Sequence, residues 1–216
     1  MAAEPTRIRR LPERGTTDRA TIDAILDEGF VCHVAYVIDH RPVIIPTLYA
    51  RDEDRIILHG STSSGITRAV RRGSPLSIAV THVDGIVVAR SGFHSSANYR
   101  SVVVHGQGTL LEGEDHRHAL DLTINALIPG RLGDVRGHTD LELRQTATIA
   151  VPLDQVSAKV RVGPPKDDPE DIPTDTWAGV VPMSLIPGLP EAAPDLLPGI
   201  EIPDYLKPYK RSPRDT

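Results

Sequence analysis

Apolar positions along the chain recur with two periods, and the change from one to the other outlines the elements. Ile22, Ile25 and Leu26 share one face of a helix predicted over Asp18 to Glu28, and Gly29 stands where a helix stops. Val31–Ile38 and Pro42–Ala50 then read as two strands joined across Asp39-His40-Arg41, with Arg55–His59 a short third. Ser64–Arg72 predicts a short helix closed by Gly73. Leu76–Val83 and Ile86–Arg90 flank Asp84-Gly85, the strongest short hairpin signal in the chain. Val102–Leu111 is a further strand. Asp115–Ile128 reads as a helix with Leu120, Ile124, Leu127 and Ile128 on one stripe, stopped by Pro129-Gly130. Thr148–Leu153 and Val156–Val162 complete the series. About seven or eight short strands, mostly joined by tight turns, predict a mainly β, mainly antiparallel sheet with a few helices, closed as a barrel.

Proline divides the chain. Twelve of the nineteen prolines lie between Pro164 and Pro213. A stretch so rich in a residue without an N–H forms neither a sheet nor a helix interior. Yet Trp177, Val180, Val181, Met183, Leu185, Ile186, Leu189 and Tyr205 recur through it. The expected organisation is therefore a tail over 1–16, a β domain over 17–163, and a proline-rich arm over 164–216 that packs on the body or on a partner.

Composition narrows the function. A net charge of −5 and 4% aromatics argue against nucleic-acid binding, which favours basic surfaces and stacking platforms. The single cysteine, Cys32, permits no intrachain disulfide and suits a reducing cytoplasm. No apolar run is long enough to span a membrane, and the start of the chain carries no apolar targeting core.

Three segments hold candidate chemistry. In Arg55-Ile56-Ile57-Leu58-His59-Gly60-Ser61-Thr62-Ser63-Ser64-Gly65, a strand feeds a small, hydroxyl-rich loop that opens a helix carrying Arg68. Free N–H groups, hydroxyl donors and a cation suit a phosphate, although a plain capped turn has the same composition. In Phe93 to Gly106, a polar cluster containing His94, Asn98, Tyr99, Arg100 and Ser101 leads into an apolar strand, as at a ligand-facing strand mouth or an ordinary surface loop. In Ile44-Ile45-Pro46-Thr47-Leu48-Tyr49, Pro46 removes a ladder donor and implies an edge or bulge that a heteroaromatic ring can approach. The nine histidines make no metal motif, since His116 and His118 do not share a helix face. No Gly-Lys-Ser/Thr phosphate loop, dinucleotide fingerprint or serine-hydrolase elbow is present.

Together these segments resemble the pyridoxamine 5′-phosphate oxidase-like superfamily of FMN-binding split barrels, and within it the nitroimidazole-resistance-like branch. Further landmarks are Ile128-Pro129-Gly130-Arg131, Ser157-Ala158-Lys159-Val160-Arg161-Val162-Gly163-Pro164-Pro165 and Trp177-Ala178-Gly179-Val180. The resemblance implies a homodimer with FMN at the subunit interface and a small-molecule substrate. It implies that Ile44, Ile45, Pro46, Thr47, Leu48 and Tyr49 line the flavin ring through backbone contacts. It gives the phosphate to His59, Gly60, Ser61, Ser63, Ser64 and Arg68. Arg100 and Ser101 would reach the flavin, and Lys159, Arg161 and Trp177 would approach from the second subunit. The implied activity is an FMN-dependent oxidoreductase, for which His59, Tyr49, His94 and Arg100 are the polar groups to test for substrate contact. The alternatives are a flavin carrier or sensor without turnover, or a barrel that has exchanged FMN for haem or a deazaflavin.

Overall fold

A computed structural model describes residues 6–207 and Tyr209. In chain order the elements are β1 (Gly15–Thr16), α1 (Arg19–Glu28), β2 (Val31–Ile38), β3 (Arg41–Asp52), β4 (Arg55–Ser61), α2 (Gly65–Arg71), β5 (Pro75–Val88), β6 (Ser96–Gln107), β7 (Thr109–Leu110), α3 (Gly113–Leu127), α4 (Asp140–Gln145), β8 (Thr146–Pro152), β9 (Gln155–Arg161) and β10 (Gly179–Pro182). Every strand pairing is antiparallel, and the strands follow the order β1-β9-β6-β5-β2-β3-β4-β8-β7, with β10 on β5. No helix among the described residues is long and apolar enough to cross a membrane.

β3 closes this path into a split barrel. Its first half pairs with β2, from Ile38↔Arg41 to Val31↔Leu48, and its second half with β4, from Tyr49↔Leu58 to Asp52↔Arg55. One strand thus serves two sheets. Between them lies the core, in which Ile22, Val34, Ile56, Leu58, Ile78, Val102 and Ile149 are fully buried. A smaller cluster of Ala50, Ile57, Ala119 and Ala150 seats α3 on the outside of the second sheet.

Local chemistry sets the joins. The Asp18 carboxylate accepts from the Thr21 N–H and caps α1. Asp39 and His40 both take positive φ, which makes the β2–β3 connection a two-residue turn of the hairpin-compatible hand. Gly29 ends α1 for a reason the sequence did not suggest. Its φ is −81°, open to any residue, but a Cβ there would lie 2.5 Å from the Tyr49 hydroxyl. Close approach, and not a left-handed turn, requires the glycine.

The expected Asp84-Gly85 hairpin is absent. β5 runs straight through it, because residues on both sides pair with β6, Thr81↔Ser101 before and Val87↔Ser96 after. The Asp-Gly step instead forms a bulge in which Asp84 is skipped. A Cβ on Gly85 would meet the Val181 carbonyl at 2.9 Å, so this glycine admits β10. Gly15–Thr16 pairs with Lys159 and Ala158 as the outermost strand.

The arm leaves the barrel beside Arg90, whose guanidinium meets the Asp167 carboxylate at 2.8 Å. It adds β10 to β5, and the Met183 N–H then donates to the Asp84 carbonyl. It returns at Tyr205, whose hydroxyl donates to Asp134 and accepts from Arg131. The end of the arm beyond Tyr209 lies outside the described residues.

Candidate functional site

The hydroxyl-rich loop after β4 is built by its own side chains. Ser64 Oγ accepts from the Thr67 N–H at 3.2 Å and caps α2. The Thr67 hydroxyl donates to the Ser61 carbonyl at 3.0 Å, and Ser61 and Ser63 share a hydroxyl bond at 3.0 Å. Arg68 donates to the Ser63 carbonyl and Arg71 to the Thr62 carbonyl. A Cβ on Gly60 would meet nothing nearer than Ser64 Oγ at 3.8 Å, so open space adjoins the loop there. The loop thus gathers hydroxyls and two arginines beside open space, a composition suited to an anion.

His59 points to the side of the second sheet that α3 covers. It pairs with Thr148, whose hydroxyl meets His116 Nδ1 at 2.8 Å. His116 Nε2 lies 3.2 Å from the Leu143 carbonyl, which only accepts, so Nε2 is the donor of that bond. His59 Nδ1 is buried without a hydrogen-bond partner, and burial lowers the pKa of this imidazole and keeps it neutral. The His116–Thr148 pair left no trace in the sequence, because its members are brought together only by α3 docking on β8.

The other candidates divide by strand alternation. Ile44, Pro46 and Leu48 stand on the outer face of the first sheet, and Ile44 is 66% exposed. Ile45 packs against the core. Tyr49 is 2% exposed, and its hydroxyl donates to the Leu26 carbonyl at 2.6 Å, so its side chain is a core anchor and not a substrate contact. Thr47 lies between them on the same strand. Ser101 and Lys159 are cross-strand partners on that same outer face, but three and four strands from β3, ~14–19 Å away.

Arg100 faces the other way from Ser101. Its guanidinium is held by both oxygens of Glu28 and by Asp84, at 2.7 Å to Asp84 Oδ1. The salt bridge holds the Glu28 and Asp84 carboxyls below their usual range and raises the arginine further. Four of its five N–H donors tie α1 to the bulge of β5. His94 pairs with Asp168 at 3.0 Å, which ties the loop after β5 to the arm. Trp177 is exposed at the start of β10, its ring lying against Gly179.

A further cation is buried. Arg161, 7% exposed, bonds Asn98 Oδ1 and the Gly163 carbonyl, and its Nε has no partner. Burial lowers its pKa, and Arg14 nearby adds to that. Among the described residues no three histidine, cysteine or acidic side chains gather as a metal site.

A two-sheet antiparallel split barrel with a hydroxyl-rich loop at the β4–α2 junction defines the structural class. The chain belongs to the pyridoxamine 5′-phosphate oxidase family, whose sequence model matches residues 18–160. Among solved structures it is similar to the FAD and haem binding protein from Mycobacterium smegmatis, with 38% identity, a TM-score of 0.87, and coverage of 90% of this chain and 96% of that one. It is similar to the flavocytochrome Anf3 from Azotobacter vinelandii, with 33% identity, a TM-score of 0.89, and coverage of 95% and 96%. A candidate 5-nitroimidazole antibiotic resistance protein from Bacteroides thetaiotaomicron shares the fold at 22% identity and a TM-score of 0.57, over 68% of this chain and 86% of that one. A comparison with curated proteins found no match.

Proposed function

We propose that the chain is a flavin-dependent oxidoreductase that works as a homodimer in the cytoplasm and holds a haem as well as the flavin. The observation that carries this reading is the reach of the similarity. The family match stops at residue 160, whereas the two matches above 30% identity cover 90% and 95% of the chain and so take in most of the arm. One of those proteins binds FAD and haem, and the other is a flavocytochrome.

The residues suit a flavin. The Gly60–Ser64 loop and Arg68 offer hydroxyls and positive charge to a phosphate beside open space. Ile44 and Pro46 offer an exposed apolar edge to a ring system. The loop is common ground for FMN and FAD; the named relative favours FAD. When bound, the flavin supplies the hydride and single-electron chemistry, and the protein supplies position and electrostatics. The uncovered outer face of the first sheet, with Val31, Val37 and Ile44 exposed, supports a second copy there. The histidines that would hold a haem are His33, exposed on that outer face, and His59, whose buried Nδ1 has no hydrogen-bond partner.

The visible spectrum of the purified protein tests this. A flavin band near ~450 nm and a haem Soret band are expected together, since both are properties of the cofactors. Mass analysis of the released flavin distinguishes FAD from FMN. A flavin band alone reduces the protein to a flavoprotein without haem, and neither band refutes the reading. Bleaching by NADH or NADPH and recovery on adding an acceptor separates an oxidoreductase from a carrier. Loss of the Soret band in H33A or H59A identifies the residue that would hold the haem.

A further inference from the structure

The arm is pinned at both ends and unsupported between them. β10 and the Met183 N–H fix one end on β5, and Tyr205 fixes the other on Arg131 and Asp134. Among the described residues, no hydrogen bond or ion pair joins 184–203 to the barrel. This span exposes Leu185, Ile186, Leu189, Leu197 and Ile200, Leu189 to 92%. It also carries Glu191, Asp195 and Glu201 and no basic residue. With a proline every few positions it is extended, and at ~3.1 Å per residue it reaches up to ~60 Å.

A surface of the opposite character lies at the far edge of the barrel. Residues 6–17 carry Arg7, Arg9, Arg10 and Arg14 against one acid, Glu13. They run beside β1, the outermost strand, which leaves one backbone edge unpaired. A cleft of about 510 Å³ opens there. Its walls are apolar at Ile8 and Pro12, cationic at Arg7 and hydroxylic at Thr16, Thr17 and Ser157. Lys159 adds charge next to it on β9, and the buried Arg161 at the end of that strand has no carboxylate partner among the described residues.

We infer that the acidic, apolar span 184–203 of one copy lies along the basic β1–β9 edge of a second copy, so that two chains exchange arms. Charge complementarity and fit carry the inference, because an extended acidic and apolar strip matches a cleft that is cationic and apolar. Area supports it too. Five large apolar side chains at ~100 Å² each offer on the order of 500 Å², a large share of the ~800 Å² that one partner contributes to a stable interface. The inference rests on the homodimer proposed above and adds the contact that holds it.

A charge-exchange experiment tests it, read by sedimentation equilibrium of the full chain. One variant carries E191K, D195K and E201K, and the other carries R7E, R9E and R10E; circular dichroism checks that both fold. All six positions are exposed. Each variant alone is expected to dimerise at least ~10-fold more weakly than the wild type. An equimolar mixture of the two is expected to regain wild-type association, because each arm then meets an edge of opposite sign. Wild-type association of either variant alone overturns the exchange while leaving the homodimer intact. Failure of the mixture to recover shows that the arm serves its own barrel or another protein, and overturns it as well. A monomeric wild type refutes the homodimer and this inference with it.

Discussion

Arg100 shows what one side chain does when three elements meet on it. Glu28 ends α1, Asp84 sits in the bulge of β5, and Arg100 on β6 binds both carboxylates. Because the folded state holds these acids below their usual range, it gains stability above pH ~4, where the unfolded acids are ionised, and loses it as pH falls through the folded values. R100M is therefore expected to lower the melting temperature at pH 7, by an amount that shrinks as the pH falls below ~4. Thermal unfolding across that range checks it, and a constant difference would show that the ion pair contributes nothing. Cys32 gives a second residue-scale prediction. Fully buried in the core, its thiol is pushed up to about 12. It is expected to resist thiol reagents in the native protein and to react once denatured, so fast native labelling would place it elsewhere.

At the scale of the element, signals that act within a few residues could be read from the chain. The α1 face of Ile22, Ile25 and Leu26 is buried, and the Asp39-His40 step is a turn. Signals that depend on what lies opposite could not. Asp84-Gly85 has hairpin chemistry, but a hairpin also needs its two arms to pair with each other, and β6 takes both. Tyr49 and Ile44 looked alike in one apolar run, and strand alternation sends one to the core and the other to the surface. The ion pairs of Arg100 are not legible in the chain, because neither Glu28 nor Asp84 is near enough in sequence to announce them. The Gly60–Ser64 loop was legible because most of its bonds are local. Replacing Ser61, Ser64 and Arg68 together with alanine is expected to weaken flavin binding at least ~10-fold. Loss of the Ser64 cap adds about 1 kcal/mol of instability. Equilibrium titration with FMN and FAD checks this, and unchanged affinity would move the phosphate to another part of the surface.

For the whole molecule, the body and the arm differ in how they are held. The body is closed by β3, which belongs to both sheets, so local damage propagates between them. The span 184–203 adds no bond to the barrel. A chain cut after Met183 therefore loses chiefly the hydroxyl bonds of Tyr205 to Arg131 and Asp134 and of Tyr209 to Leu127, and with both proteins monomeric at high dilution it is expected to melt lower by about 2–4 °C for each ~1 kcal/mol those bonds contribute. A cut after Gly163 also strips β10 from β5 and Asp167 from Arg90, and is expected to melt lower still. Equal melting of the two truncations would mean that β10 is decorative.

The residue skipped at Asp84 also acts as a phase shifter. Side chains on a strand alternate, so one extra position exchanges inside for outside in everything beyond it. As built, Val87 is fully buried and Ile86 is 44% exposed. Deleting Asp84 would restore an uninterrupted ladder and leave that pair in place, since Val87 would still stand opposite Ser96, but it would remove the carbonyl that receives Met183 and one of the two acids on Arg100. A chain shorter by this one residue would have a more regular strand and a less stable protein. The irregularity absorbs one residue so that both halves of β5 stay in phase with β6, and it leaves the Asp84 carbonyl free of that ladder to receive the arm.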